Sequence, residues 1–234
     1  MGRIVKEPAV RRDEILDAAQ RLISAKGYER MTIRDIIDDL QISNGAFYHY
    51  FASKHALLTA LMERTAEAMA QLLIPISDDP GLSALEKLNS CFAALRRFKS
   101  DRRVLMHELS RQQYADENAL VRQKAFTTLV RRASPLLAHI IRQGVGEGVF
   151  TATHPDEAGG VLLSLSQNLK DAIADLVPSF TPEPDALPVL VRTIAAYTEA
   201  MERALGAPAG SVSVVDPESL GKWIANAQGE AKPV

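Results

Sequence analysis

The feature that most constrains the fold is a series of helical segments in the first quarter of the chain, of which the second, third and fourth are each opened by a capping residue. Apolar residues at three- and four-residue spacing predict a first helix over 11–26, which ends at Gly27. Thr32 and Asp35 have the spacing of a capping box, and the apolar stripe that follows predicts a second helix ending near Leu40. Helices this short are not stable alone, because nucleating a helix is costly. They must therefore pack on one another.

The third segment lies in the stretch ISNGAFYHYFASK, residues 42–54. Ser43 is an N-cap, and Ile42 with Phe47 forms a hydrophobic staple that fixes the angle at which the helix begins. Ser53 caps a fourth helix. Three short helices with a tight turn between the second and the third predict a helix-turn-helix motif.

The aromatic residues of this stretch divide between two faces of the third helix. Phe47 and Phe51 are four residues apart, so they share one face and are predicted to enter the core. Asn44 and Tyr48 point the other way. The sequence leaves open whether Tyr50 is half in the core or contacts a phosphate.

Acidic residues are absent between Asp39 and Glu63, although the whole chain has a formal net charge of -2. The chain is therefore not a polycation that binds nucleic acid through its overall charge. Neither the third nor the fourth helix has Asp or Glu in its first turn, so their amide ends are free to attract an external anion. Lys54, at the start of the fourth helix, is placed to contact a phosphate, and the alternative is a solvated surface lysine.

The run TIRDIIDDLQISNGAFYHYFASKHALL, from Thr32 to Leu58, resembles the DNA-binding domain of the TetR family of transcriptional regulators, with the ending Y-x-Y-F-x-S-K-x-x-L-L. The resemblance covers about residues 10–62. Leu40 and Gln41 depart from the Ala-Gly pair that is common in this turn of the family. A left-handed backbone at Gln41 would cost on the order of 1 kcal/mol.

The resemblance implies an all-α protein with an N-terminal three-helix helix-turn-helix domain, followed by a larger helical ligand-binding and dimerisation domain. We place the first domain at 1–62, the second at 63–206, and a partly disordered C-terminal tail at 207–234, with one helical piece near Trp223. Hydrophobic periodicity and breaker residues predict the helices of the second part at 83–99, 102–114, 118–145, 156–176 and 185–205, with a break at 75–82.

The residues expected at the DNA lie on the second to fourth helices: Thr32, Arg34, Ser43, Asn44, Gly45, Ala46, Tyr48, His49 and Lys54. The amide of Asn44 can bind adenine N6 and N7 together, unless the residue is merely tolerated at a helix start. Gly45 and Ala46 are small enough to let the backbone approach the groove. The hydroxyl of Tyr48 reaches a phosphate, and His49 either contacts DNA or has no role.

The middle helices are implied by the resemblance to bind a small apolar or amphipathic effector. The candidate lining is Phe92, Leu95, Met106, His107, Leu109, Phe126, Leu129 and Val130, with Glu108 and Gln112 as further polar anchors, and core packing is the alternative. The last two helices are implied to form a four-helix homodimer interface. Its candidate residues are Leu162, Leu165, Leu169, Ile173, Leu190, Ile194, Tyr197 and Met201. An intrachain core is again the alternative, and a wide apolar stripe can serve both contacts.

Catalytic and cofactor motifs are not evident. The glycines near Gly144 follow a helix rather than a strand, so they are not a nucleotide loop, and His107-Glu108 lacks the second histidine of a metalloprotease motif. Five histidines and one cysteine show no metal-ligand spacing. We therefore expect no enzyme activity, no metal and no cofactor.

Membrane and secretion signals are not evident either, since the apolar runs are short and the N-terminus has no apolar core. We expect a cytoplasmic protein with three partners: double-stranded operator DNA, a small-molecule effector and a second copy of itself. The predicted function is that of a repressor, the family's usual mode, that binds a palindromic operator as a dimer. The alternative is an architectural or adaptor DNA-binding protein of the same fold, without ligand control.

Overall fold

The computed structural model describes residues 8–115, 118–176 and 186–215. Within these ranges the regular structure is α-helix and no β-strand occurs, which confirms the all-α prediction. The helices are α1 Pro8–Lys26, α2 Ile33–Leu40, α3 Asn44–Tyr50, α4 Lys54–Gln71, α5 Ile74–Ser77, α6 Ala84–Asp101, α7 Arg103–Gln113, α8 Ala119–Gly146, α9 Pro155–Leu176 and α10 Leu187–Leu205. The helical piece predicted near Trp223 lies outside the described residues.

Two helix boundaries differ from the prediction. α1 begins three residues early, at Pro8, because proline is tolerated in a first turn whose N–H groups have no intrahelical partner. The short α5 overlaps the break predicted at 75–82, because Pro75 lies in the first turn of this helix, where proline is tolerated. None of the described helices is long and apolar enough to cross a membrane.

The caps predicted around α2 are present. The hydroxyl of Thr32 accepts a hydrogen bond from the Asp35 N–H at 3.1 Å, and the Asp35 carboxylate accepts one from the Thr32 N–H at 2.6 Å. Gln41 has φ 52° and ψ 44°, so it ends α2 in the left-handed conformation that its position suggested. The Ile42 N–H then donates to the Ile37 carbonyl at 3.1 Å, which closes the turn before α3.

Internal packing divides the chain into two compact units. Among the described residues, the first unit runs to Met69 and includes those of Phe98–Leu129, and the second comprises Ala70–Arg97 and those from Val130 onward. The boundary expected after residue 62 falls inside α4. Residues of α7 and early α8 join the first unit because their apolar side chains enter its core: Leu105, Leu109, Val121 and Ala125.

The second unit is organised around the pair of helices α9 and α10. Leu169 of α9 packs with Leu190 and Ile194 of α10 in a buried cluster. Gly159 permits a close approach of α8, since a Cβ at this position would lie 2.5 Å from the Ser134 carbonyl oxygen. A buried ammonium fixes the start of α6, because the Nζ of Lys87 donates at 2.8 Å to both the Ser77 carbonyl and the Gln143 side chain.

Candidate nucleic-acid interface

The orientation of α3 is fixed by its two ends. The Ser43 hydroxyl accepts a hydrogen bond from the Ala46 N–H at 3.2 Å, so the predicted N-cap is present. Phe47 is completely buried and Phe51 is 3% exposed, so both enter the core of the first unit as predicted. A helix of only seven residues is held in one direction by these contacts.

The opposite face of α3 is open. Asn44, Gly45, Tyr48 and His49 are exposed, and Tyr48 keeps 53% of its surface accessible while its ring packs edge-on against Phe47 at 5.4 Å. A Cβ built on Gly45 would have no neighbour within 4 Å. The fold therefore does not require glycine at this position, although glycine weakens a helix by up to about 1 kcal/mol relative to alanine. The space that a side chain at position 45 would occupy is therefore open to a molecule that binds from outside the unit.

The histidine of α3 has a packing partner within the helix. The ring of His49 lies edge-on to the ring of Tyr50 at 4.9 Å, and Tyr50 is partly buried against the core of the first unit. Tyr50 therefore belongs to the core side, a point that the sequence left open.

Lys54 is held in place rather than freely solvated. Its Nζ lies 4.3 Å from the centre of the Tyr28 ring and donates to the Glu29 carbonyl oxygen at 3.2 Å. Partial burial lowers the pKa of Lys54, while the negative charges of Glu29 and Asp35 oppose this shift. An ammonium has three N–H donors, so these two contacts leave one for an external acceptor.

The turn that supports Lys54 is fastened from its other side by α7. The Glu108 carboxylate accepts a hydrogen bond from the Tyr28 N–H at 3.1 Å, and the Gln112 amide donates to the Glu29 carboxylate at 2.9 Å. Gly27 has φ 81°, and a Cβ at this position would lie 3.1 Å from the Glu108 carboxylate. Glu108 and Gln112 are among the predicted effector anchors, and no local signal in the sequence indicates their contacts with residues about eighty positions away.

Thr32, the N-cap of α2, and Arg34, in its first turn, both make contacts within the chain. The Thr32 hydroxyl donates to the Asp35 carboxylate at 2.7 Å, so it has no proton left for a phosphate while the capping box is intact. Lys26 binds the same carboxylate at 2.6 Å and, together with the Thr32 hydrogen bonds, holds the pKa of Asp35 well below its usual range. Arg34 binds Asp38 through its Nε at 3.0 Å, and its exposed side chain keeps its terminal N–H groups accessible.

The effector candidates are distributed over both units. In the first unit, Leu109 is buried and Met106 partly buried in the core that holds α1, whereas His107 is exposed. Phe126 and Leu129 are half-buried there. In the second unit, Phe92 and Leu95 are half-buried on α6, and Val130 lines an open cleft of about 450 Å³ on α8.

Most of the dimer candidates are already covered within a single chain. The buried residues of this set are Leu162, Leu169, Leu190, Ile194 and Met201. The remaining three are half-buried: Leu165, Ile173 and Tyr197. The apolar stripes of α9 and α10 face each other, so their periodicity marked the intrachain seam. The outer sides of these helices carry other apolar residues, among them Val161 at 45% and Val191 at 37% exposure.

The helices α1 to α4, with α3 exposed along one face and capped after a left-handed turn, define a helix-turn-helix protein. The sequence profile described as "Bacterial regulatory proteins, tetR family" matches residues 15–61, and the profile described as "Tetracyclin repressor-like, C-terminal domain" matches residues 105–176. The chain belongs to the TetR family and is a DNA-binding transcriptional regulator.

Relatives and solved structures agree with this assignment. The chain is 28% identical over 154 residues to the HTH-type transcriptional repressor KstR2 of Mycobacterium tuberculosis (strain ATCC 25618 / H37Rv). The matched residues cover 64% of this chain and 74% of KstR2. It is 37% identical over 67 residues to the repressor AcnR of Corynebacterium diphtheriae, which covers 29% of this chain and 35% of AcnR.

Two solved structures show the fold alone, because their sequence identity to the chain is low. A TetR-family regulator from Pectobacterium atrosepticum has a TM-score of 0.64 at 19% identity, covering 87% of this chain and all of that one. The complex of SmeT with triclosan has a TM-score of 0.55 at 21% identity, covering 89% of this chain and 98% of that one.

Proposed function

We propose that this protein is a ligand-responsive transcriptional repressor that binds a palindromic operator as a homodimer in the cytoplasm. The observation that carries the proposal is the open face of α3, where Asn44 and Gly45 are exposed and where the packing of the chain does not require a glycine. The relatives KstR2 and AcnR are named as repressors, which supports the sign of regulation.

Base recognition falls to the first turn of α3. Asn44 is exposed, so its amide is available for the paired donor and acceptor of an adenine in the major groove. Gly45 and the half-buried Ala46 let the α3 backbone approach the bases closely. Ser43 contributes by capping α3 and so fixing the position of Asn44.

Phosphate contacts come from side chains around α3. Lys54 is held with one N–H free, and Arg34 has exposed terminal N–H groups. The exposed hydroxyl of Tyr48 and the ring of His49 lie on the same open face as Asn44. These contacts would position the helix on the duplex without reading sequence.

The outer sides of α9 and α10 are the proposed dimer interface, with the two-fold symmetry that a palindrome requires. Since Leu169 and its buried neighbours stabilise the single chain, the interface is better tested at an exposed residue. Val161→Glu should convert the dimer to a folded monomer in sedimentation, whereas Val145→Glu, at a comparably exposed valine of α8, should leave the dimer intact. A dimeric Val161→Glu variant would place the interface elsewhere.

The protein must have one conformation that binds DNA and one that does not. Release by a small molecule requires that the effector have a higher affinity for the second conformation than for the first. SmeT, which shares the fold, has been solved with triclosan, and this supports an effector of similar size for a chain of this architecture.

The experiment that tests the proposal is selection of bound duplexes from a random DNA library with the purified protein. The proposal expects an enriched palindrome that a small molecule can release. Salt-sensitive binding with no enriched sequence, or enrichment without release by any effector in a broad screen, would favour the architectural or adaptor alternative.

A further inference from the structure

The chain continues beyond α10 as a non-helical segment, residues 207–215, that we call the strap. α10 ends at Gly206 with φ 60°, and the chain then turns, with the Ser211 N–H donating to the Pro208 carbonyl at 3.2 Å. This stretch belongs to the C-terminal tail, 207–234, for which the sequence predicts partial disorder. The described part of it instead lies against the helices of the second unit.

Two side chains of α6 bind the main chain of the strap. The Asn89 amide donates to the Ser211 carbonyl at 2.8 Å and accepts from the Ser213 N–H at 2.8 Å. Arg96, two turns further along the same face, donates to the Ser213 carbonyl at 2.7 Å and to the Val214 carbonyl at 3.0 Å. All four hydrogen bonds go to backbone atoms of the strap. Asn89 and Arg96 could therefore bind any molecule that presents the same donors and acceptors.

The helices α9 and α10 complete the groove. The buried carboxylate of Glu202 accepts a hydrogen bond from the Val212 N–H at 3.0 Å, and Val212 itself is only 5% exposed. Val214 and Val215 pack against the apolar cluster of Leu169, Leu190 and Ile194. The strap therefore fills a groove that has polar donors and acceptors along one side and an apolar wall along the other.

Arg96 stands out in this groove. Its side chain is partly buried, and among the described residues it forms no ion pair and binds only neutral carbonyl oxygens. The guanidinium carries a full positive charge, and a carboxylate offers it a full negative charge and two oxygens for parallel hydrogen bonds, which a neutral carbonyl does not. A ligand with a carboxylate would therefore bind Arg96 better than the strap carbonyls do.

We propose that the strap occupies the effector site, and that the effector is an amphipathic acid whose carboxylate replaces the strap carbonyls on Arg96 and Asn89 while its apolar part replaces Val214 and Val215. This inference rests on the proposed ligand-responsive function and names the chemistry of the ligand. The strap then acts as a tethered competitor, whose effective concentration is on the order of millimolar for a short connection. It sets the effector concentration at which the regulator responds.

The first test compares the full chain with a variant that ends at Gly206 and so lacks the strap. The probe is 1-anilinonaphthalene-8-sulfonate, which combines an apolar body with an anionic head. If the strap fills the site most of the time, its removal should lower the Kd of one probe molecule by about 10- to 100-fold. A synthetic peptide of residues 207–215 should displace that probe. Arg96→Met in the shortened chain should abolish the increase in probe affinity.

A second pair of variants keeps the full chain, in case the shortened one does not fold. Ser213→Pro removes the N–H that donates to Asn89, whereas Ser213→Ala keeps the backbone donor and acceptor at the same position. The proline variant should bind the probe more tightly than the wild type, and the alanine variant should bind it equally well. Decanoate should displace the probe from the proline variant, and decanol should do so at least ten times less effectively.

Equal probe affinity in the full chain, the shortened chain and the proline variant would overturn the proposal, as would a peptide that fails to displace the probe. Equal displacement by decanoate and decanol would overturn the role assigned to Arg96. These binding measurements contain no DNA, so their outcome is separate from the proposed function, whose failure would appear as the lack of an enriched palindrome.

Discussion

The ammonium of Lys54 lies 4.3 Å from the centre of the Tyr28 ring and 3.2 Å from the Glu29 carbonyl oxygen. The same turn is held on its other side by Glu108 and Gln112 of α7. A lysine placed in this way has lost much of its conformational freedom before it meets a phosphate, so less entropy is lost on binding. The position of the ammonium thus depends on contacts between segments that are distant in sequence.

Lys54→Ala should weaken binding to all duplexes alike and reduce the slope of log K against log salt by about one, because one phosphate contact is lost. Titrations at several salt concentrations measure this slope. Lys124→Ala, at an exposed lysine of α8, is the matched control and should leave the slope unchanged. An unchanged slope for Lys54→Ala would show that this ammonium does not contact the DNA backbone.

Gly45→Ala should affect stability and DNA binding in opposite directions. The new methyl group meets no atom of the chain within 4 Å, and alanine favours a helix over glycine by up to about 1 kcal/mol, so thermal unfolding should occur at a higher temperature. Operator affinity should fall, because the methyl group occupies the space through which α3 approaches the bases. If both stability and affinity rose, α3 would not approach the groove at Gly45.

The local parts of the fold were predictable from sequence because their signals are local. The capping box of Thr32 with Asp35 and the N-cap at Ser43 each depend on residues three positions apart, and both are present, whereas the left-handed turn at Gln41 was implied by the family resemblance. Phe47 and Phe51 were predicted to be buried from their spacing alone, and they are.

The contacts between distant segments were not predictable in this way. The hydrogen bond from the Tyr28 N–H to Glu108 joins residues eighty positions apart, and nothing near either residue indicates it. The stripes of α9 and α10 show the same limit, since Leu169 and Leu190 were equally compatible with a dimer interface and with the intrachain seam that they form. Periodicity identifies an apolar face, but it does not identify what covers that face.

The capping box should make stability depend on pH in a defined way. The pKa of Asp35 is lowered in the folded chain, chiefly by its contact with Lys26 and then by Thr32, so the carboxylate stabilises the fold at neutral pH. This contribution is fully present above the ordinary carboxyl pKa of about 4 and is lost as the pH falls through the lower folded value. Denaturant unfolding of wild type and Asp35→Asn should therefore differ at pH 7 and converge on acidification.

Thr32→Ala separates the two parts of this cap. It should cost about 1 kcal/mol of stability through the lost N-cap at every pH, while most of the pH dependence remains because Lys26 still binds Asp35. If Asp35→Asn were as stable as the wild type at pH 7, the negative charge of Asp35 would contribute nothing to folding.

The central claim is that Asn44 reads a base from the open face of α3, and parallel duplex selections with wild type, Asn44→Ala and Lys54→Ala test it most directly. The account predicts a palindrome for the wild type, loss of preference at one symmetric position per half-site for Asn44→Ala at a cost of about 1–3 kcal/mol, and an unchanged motif for Lys54→Ala. Recovery of the complete wild-type motif by Asn44→Ala would contradict it.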